Sequence, residues 1–470
     1  MMIKNIANNP IICLLKCFFE NKKEHAYVVG GFLRDCMLDV QSSDIDIVVE
    51  SGKAKKLGLE LADELGGYFV ELDNINNIYR VVLSDKTTYI DIADCVGLTI
   101  EDDLKRRDFT INALAYDINN SKIIDVCGSQ QDILNCVIKE VSEENLIDDP
   151  IRIFRAYRFK SMLGFEFSDS LQGMLKKHAH LVTQTAKERI NVELIKLFAG
   201  ENSVEALYAL DENNILELII PEVKEIKKIP PNSHHHLCLF EHSIETVKQV
   251  QLYYKTACED VKKHLRNEFL AGQKRIAYLK LAAFLHDVGK PATWQIEQET
   301  GRHRFIMHDV EGAKVIVPTL KNLKFSKKQI AYVQKIIKNH IYPAGLVTSV
   351  DSGEKAYLRF FRKMEDEVID IITVAHADRL SALGPDITQE IVAQNLDGLN
   401  ALLEFYLKEK SKLAPLPKLL DGEEIMELLN IPASRQLGQI IEQLKEAQIS
   451  SEVLTKEDAI EFVKRLNLGG

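Results

Sequence analysis

The chain has 470 residues, 46% of them hydrophobic and 27% charged, with a formal net charge of −11. That length is too great for one ordinary core, so three or more domains are expected in a globular protein. The acidic balance argues against a protein that coats nucleic acid non-specifically, yet it leaves room for a local basic strip and for carboxylates that hold metal ions.

In chain order, Met1 to Lys22 carries an apolar stretch, Ile11 to Phe19, broken by Lys16. No small-residue cleavage site follows, so the segment reads as a helix and not as a signal peptide. No uninterrupted apolar run reaches membrane-spanning length. The eight cysteines are scattered without a CxxC pair and are expected to be mostly buried thiols of a cytosolic protein. His25 to Val29 is a short β-type run ending in Gly30-Gly31, and Asp44 to Val49 alternates acid and aliphatic residues as a strand does. Leu57 to Leu65 reads as an amphipathic helix; Tyr79 to Leu83 and Thr88 to Ala93 read as strands about a turn at Ser84-Asp85-Lys86. Beyond about Ile124 strand signals become rare, and from Asp149 onward almost everything reads as helix. Turn-rich breaks fall at Ile229 to Ser233 and at Ala414 to Pro417. An α/β head with a small mixed sheet, followed by an all-α body, is the expected architecture.

The first chemical constellation is Gly30-Gly31-Phe32-Leu33-Arg34-Asp35, then Asp44-Ile45-Asp46. Two glycines let the backbone approach a triphosphate, and Arg34 can pair with phosphate. Asp44 and Asp46 sit two apart on a predicted strand, so both point to one face and can hold two Mg²⁺ ions. A lone Asp-x-Asp is more often a solvated strand edge; the Gly-Gly and Arg-Asp at this spacing reverse that preference. The second constellation runs from Asp103 to Ala113. Its Arg106 and Arg107 suit phosphates, while Asp108 and Asn112 suit ribose hydroxyls, although such a charge run could be an ordinary helix start.

Together the two motifs resemble the nucleotidyltransferase superfamily, specifically the class II tRNA nucleotidyltransferases and the related bacterial poly(A) polymerases. The resemblance implies a catalytic role for the Gly-Gly and Asp-x-Asp segments. It implies nucleotide contact by Asp103 to Asn112, and that this stretch links head to neck. Asp91 is a further carboxylate candidate near the metals. Asp148-Asp149-Pro150-Ile151-Arg152 follows, with Arg152, Arg155 and Arg158 at helical spacing. A solvated basic face is the plain alternative. The family's matching motif implies that Asp149 and Arg152 present a base-pairing edge that selects CTP and ATP, with Asp148 standing where the family has Glu. Lys187 to Glu193 matches the next motif and is expected to prop the neck helices. Complete CCA synthesis is associated in the family with a longer segment between the Asp91 strand and the Asp103 motif. Here Asp94 to Asp102 is only Asp-Cys-Val-Gly-Leu-Thr-Ile-Glu-Asp, which leaves a CC-adding specialist open beside full CCA addition.

His242, His286-Asp287 and Asp378 follow the H…HD…D order of HD phosphohydrolases, and Val288-Gly289-Lys290 extends the local match. Imidazole and carboxylate ligands suit a divalent metal whose identity the sequence leaves open. His308 and His340 lie where family members with a second metal carry ligands. His234-His235-His236 read first as loop residues. Phosphoester hydrolysis, for example of a 2′,3′-cyclic phosphate on damaged tRNA, is what this resemblance implies.

Leu419 to Glu424 and Leu437 to Ile441 resemble the family's C-terminal helical segment, and the resemblance implies a nucleotidyltransferase head over 1–140, a helical nucleotide-selecting neck over 141–228, an HD domain over 229–385 and a tRNA-gripping helical tail over 386–470. The expected partners are tRNA, CTP and ATP in the cytoplasm, with no membrane and no DNA. The rival readings are a poly(A) polymerase, disfavoured by the absence of a basic extended tail, and a metal-dependent phosphohydrolase whose head only binds RNA.

Overall fold

The computed structural model describes residues 6–467 apart from 41, 43, 350–352, 414–416 and 451. It divides the chain into two compact units, Met1–Pro221 and Glu222–Gly470. Of the break read at Ala414 to Pro417, only Pro417 lies among the described residues.

In the first unit, seven strands form one sheet: β1 (Ala26–Val29), β2 (Asp44–Val49), β3 (Tyr68–Asp73), β4 (Ile78–Val82), β5 (Tyr89–Asp94), β6 (Leu114–Asp117) and β7 (Lys122–Asp125). Their order is β3-β4-β5-β2-β1-β6-β7; β2 and β5 run parallel and every other neighbouring pair is antiparallel. The alternation in β2 decides the two faces. Ile45, Ile47 and Val49 join Val28, Val81, Ile90 and Ile92 in a core closed by residues of the Pro10–Lys22 and Ala54–Leu65 helices. Asp44 and Asp46 point to the other face. There the helix Ile100–Lys105 lays Ile100 and Leu104 over Val29, Val48 and Ala115, so cover is provided near β1 and β6. The Pro10–Lys22 helix begins where its cap places it: the Asn9 side chain accepts from the amides of Ile11 and Ile12, and Pro10 occupies the first turn.

Further along this unit, the helices Ile151–Leu163 and Lys187–Ala199 pack together, and Ile153, Phe154, Tyr157, Leu194 and Leu197 on them are fully buried. In the second unit, Leu239–Thr256, Arg275–Leu285, Lys327–Asn339 and Val368–Ser381 surround a core in which every residue of Arg275–Leu285 is buried. The helices Gly422–Leu429, Arg435–Ile449 and Lys456–Asn467 close over their own cluster, which includes Ile425, Leu444 and Val463.

The body is not purely helical. Val137–Ile138 pairs with Glu166–Phe167, Glu268–Leu270 with Gln273–Lys274 across a tight turn at Ala271-Gly272, and Trp294–Ile296 with His303–Phe305. These ladders are two or three residues long, too short for an alternation to show. The cysteines also depart from expectation: Cys13, Cys17, Cys136 and Cys258 are exposed, the other four are half-buried, and all are free. Among the described residues no helix is long and apolar enough to cross a membrane.

Candidate active sites

The sheet register brings a third carboxylate to the Asp-x-Asp pair. In the β2–β5 ladder Asp46 stands opposite Asp91 and Asp44 opposite Tyr89. Asp44 and Asp46 are exposed at the surface of this face. The carboxyl of Asp46 nevertheless sits among protein atoms: desolvation, then Asp91 and Asp44, push it up to about 6 against the pull of Arg107 and Arg80. Asp91 is held by Arg80 through two hydrogen bonds of 2.7 and 2.8 Å. Gly30 turns the chain at φ 73°, and a Cβ there would lie 3.2 Å from Arg107 Nη1 and 3.4 Å from Asp46 Oδ2. The glycine thus lets Asp46, Arg107 and the turn crowd together at the head of β1.

The other residues singled out in the head hold one another. Arg34 donates to Asp35 and, at 2.8 Å, to Asn112 Oδ1; Asn112 in turn donates to Asp108. Arg155 donates twice to Asp108 Oδ2, at 2.9 and 2.7 Å. Burial opposes ionisation of Asp108, but Arg155 and Asn112 outweigh it and hold the carboxyl down at about 2. Arg107 pairs with Asp103 at 2.9 Å, and Arg106 is exposed. Arg158 is buried and lies 2.7 Å from Glu193, a charge contact whose angle falls short of a hydrogen bond. Burial lowers Arg158 to about 10 despite Glu193. So Arg34, Asp108, Asn112, Arg155 and Arg158 form an internal lattice that fixes the head's motif to the Ile151–Leu163 helix, and Arg106 and Arg107 stand at its edge.

Asp149 and Arg152 face each other at 3.8 Å. Arg189 grips both oxygens of Asp149, at 2.8 and 2.9 Å, and Arg152 donates to the Arg106 carbonyl at 2.7 Å. The segment expected to prop the neck therefore touches Asp149 directly.

In the second unit six side chains converge. His242 Nε2 lies 3.2 Å from His286 Nε2, 3.2 Å from Asp378 and 3.4 Å from Asp287. His308 and His340 approach the other oxygen of Asp287, at 3.2 and 3.6 Å. Each imidazole turns its Nδ1 to a backbone carbonyl: His242 to Ser381, His286 to Ala283, His308 to Phe305 and His340 to Ile337. That leaves four Nε2 atoms aimed inward, the outer-contact pattern of metal-binding histidines. Burial and then His286 push His340 down to about 3. Both Asp287 oxygens are buried without a hydrogen bond of good geometry, although Lys290 Nζ lies 2.5 Å from Oδ2. A buried carboxylate so placed fits a divalent metal. Gly289 makes this possible, because a Cβ there would lie 2.1 Å from the His308 carbonyl.

Among the described residues, the tight groups of metal-ligating side chains all lie here, and one of them combines His235 with His242 and Asp287. The sequence places His235 in a loop; in the fold its Nε2 lies 3.2 Å from Lys290 Nζ, which pairs with Asp287. The run of three histidines before the His242 helix was the available signal. Arg80 carried no local signal, since its partner Asp91 comes from another strand, while Glu193 closes the segment expected to prop the neck and meets Arg158 there.

Residues 26–139 match the family model described as "Poly A polymerase head domain", residues 164–227 "Probable RNA and SrmB- binding site of polymerase A", and residues 239–383 "HD domain". The chain is 30% identical over 447 residues to an A-adding tRNA nucleotidyltransferase of Deinococcus radiodurans, covering 94% of this chain and 95% of that protein. It is 29% identical to a CC-adding tRNA nucleotidyltransferase of Thermus thermophilus, covering 93% of each. Among solved structures, the Thermotoga maritima CCA-adding enzyme complexed with tRNA shares the fold, with a TM-score of 0.56 at 21% identity over 99% of this chain and 97% of that one.

Proposed function

This chain belongs to the tRNA nucleotidyltransferase family, and from that premise we propose that it adds C and A nucleotides from CTP and ATP to the 3′ end of tRNA without a template. The observation that carries this reading is the row of Asp44, Asp46 and Asp91 beside the Gly30 turn and Arg107. Divalent cations held by Asp44 and Asp46, Mg²⁺ for an all-oxygen donor set, would supply the positive charge that activates a 3′-hydroxyl and stabilises the leaving pyrophosphate. The chain's own residues do the rest. The Gly30-Gly31 turn lets backbone approach the triphosphate, and Arg106 and Arg107 neutralise it. Asp149 and Arg152 offer an acceptor and a donor edge to the base, with Arg189 holding Asp149 in orientation. The lattice from Arg34 to Arg158 keeps the carboxylates and the base reader in register.

In the second unit His242, His286, Asp287 and Asp378 would hold one divalent cation, with His308 and His340 placed for a second, and such a cation would supply the Lewis acidity for phosphoester hydrolysis. Its logic is that a terminus blocked by phosphate lacks the hydroxyl that the head requires. Residues 1–140 then form the head, 141–228 the selecting neck, 229–385 the hydrolytic domain and 386–470 the tRNA grip, working in the cytoplasm. A CC-only reading is favoured by one observation, that β5 and the Ile100–Lys105 helix are joined by residues 95–99 alone.

The test is to offer tRNAs ending before, within and after CCA, with single nucleotides, and to sequence the ends. Rapid A addition to tRNA ending in CC supports complete synthesis. C addition without A assigns the last step to a partner enzyme, and no addition of either nucleotide removes the proposal.

A further inference from the structure

The face of the sheet that carries the carboxylates does not stop at β5. Register extends it by cross-strand rows. One runs Asp44, Tyr89, Val82, Tyr68; the next runs Asp46, Asp91, Arg80, Val70. The near end of each row is acidic and the far end is apolar. Tyr68 is 63% exposed and Val70 41%, while Val82 and Tyr89 are half-buried. Phe69 and Val81 turn to the opposite face and join the core, so Tyr68 and Val70 are not needed to fill it. Arg80, fixed to Asp91, lies over the Tyr89 ring at 4.9 Å. An edge strand that shows an aromatic and an aliphatic side chain to water on a catalytic face calls for an occupant.

We propose that this strip, Tyr68, Val70, Val82 and Tyr89, is the platform on which the unpaired 3′ nucleotides of the RNA substrate lie as the end reaches Asp44 and Asp46. The proposal rests on the nucleotidyl-transfer reading of the head. Continuity with the carboxylates along the same rows selects RNA as the occupant, since the incoming nucleotide's base is already assigned to Asp149 and Arg152. Base stacking on aromatic side chains is tolerant of sequence and suits an end that grows. Three strand spacings separate β3 from β2, ~14 Å, the length of about four stacked nucleotides.

The test compares full-length wild type with Tyr68→Ser, Tyr68→Phe and Tyr68→Ser/Val70→Ser in steady-state C addition to tRNA lacking its CCA end. The serine variants are expected to raise KM for tRNA about tenfold, with kcat and KM for CTP unchanged, and Tyr68→Phe is expected to behave as wild type. All are exposed sites, and unchanged circular dichroism and melting confirm folding. An unchanged KM for tRNA in the folded double variant overturns the proposal. So does a concentration-dependent dimer that the serine variants abolish while KM holds, which would give the face to a second copy. Absence of incorporation by wild type would instead sink the nucleotidyl-transfer reading itself.

Discussion

On β2 the carboxyl of Asp46 stands at about 6, raised by desolvation and by its acidic neighbours. A proton therefore competes with any cation there as pH falls through 6. The apparent affinity for Mg²⁺ is expected to weaken about tenfold per pH unit below that point, measured as the Mg²⁺ dependence of incorporation. A carboxyl raised in the folded state also destabilises the cation-free protein once pH exceeds its unfolded value, increasingly up to about 6 and fully above it. Asp46→Asn should accordingly raise the melting temperature in chelator at pH 7 while removing incorporation; a lowered melting temperature would contradict this assignment. Asp149 invites a second substitution at this scale. Arg189→Ala frees its carboxylate, so discrimination against UTP and GTP should relax by about one to two orders of magnitude, as with Asp149→Ala, while Mg²⁺ dependence is retained. Undiminished preference for CTP and ATP in both variants would place the base reader elsewhere. Local spacing made Gly30, Gly31, Asp44 and Asp46 legible before any fold was known. The pairing of Asp91 with Arg80, or of Asp108 with Arg155, was not legible, because those partners meet only when separate elements pack.

Between elements, the Ile151–Leu163 and Lys187–Ala199 helices are locked by Arg158 and Glu193, both almost without solvent access. Glu193→Gln keeps the shape but strands a buried guanidinium, and a loss of ~3–5 kcal/mol is expected in denaturant unfolding. A change near zero would show Arg158 to be hydrated or paired otherwise. In the second unit, the approach of the His308–Val315 helix to Gly289 leaves no room for a methyl group. Gly289→Ala should push His308 and its helix outward and lower the bound metal, read by elemental analysis, while His242 and His286 keep theirs. Strands with clean alternation, such as β2 and β5, were readable from sequence. The β6 strand is buried on all four positions and β3 is largely exposed at an edge, so neither shows the alternation that would have revealed it.

Across the whole chain, two compact units carry two separate sets of ligands. His286→Ala or Asp287→Ala is expected to remove bound metal and any phosphodiesterase activity and to spare nucleotide addition. Loss of both activities in a folded variant would mean that the sets are not independent. The motifs were enough to propose both chemistries, whereas the place of His235 beside Lys290 needed the assembled helices. The most direct measurement follows C incorporation into tRNA that lacks its CCA end, by wild type and by the folded Asp44→Asn/Asp46→Asn variant, with CTP and Mg²⁺. The expected result is extension by wild type and none, at a detection limit about a thousandfold lower, by the variant. Substantial extension by the folded variant, or none by wild type, would contradict the central assignment of this face to nucleotidyl transfer.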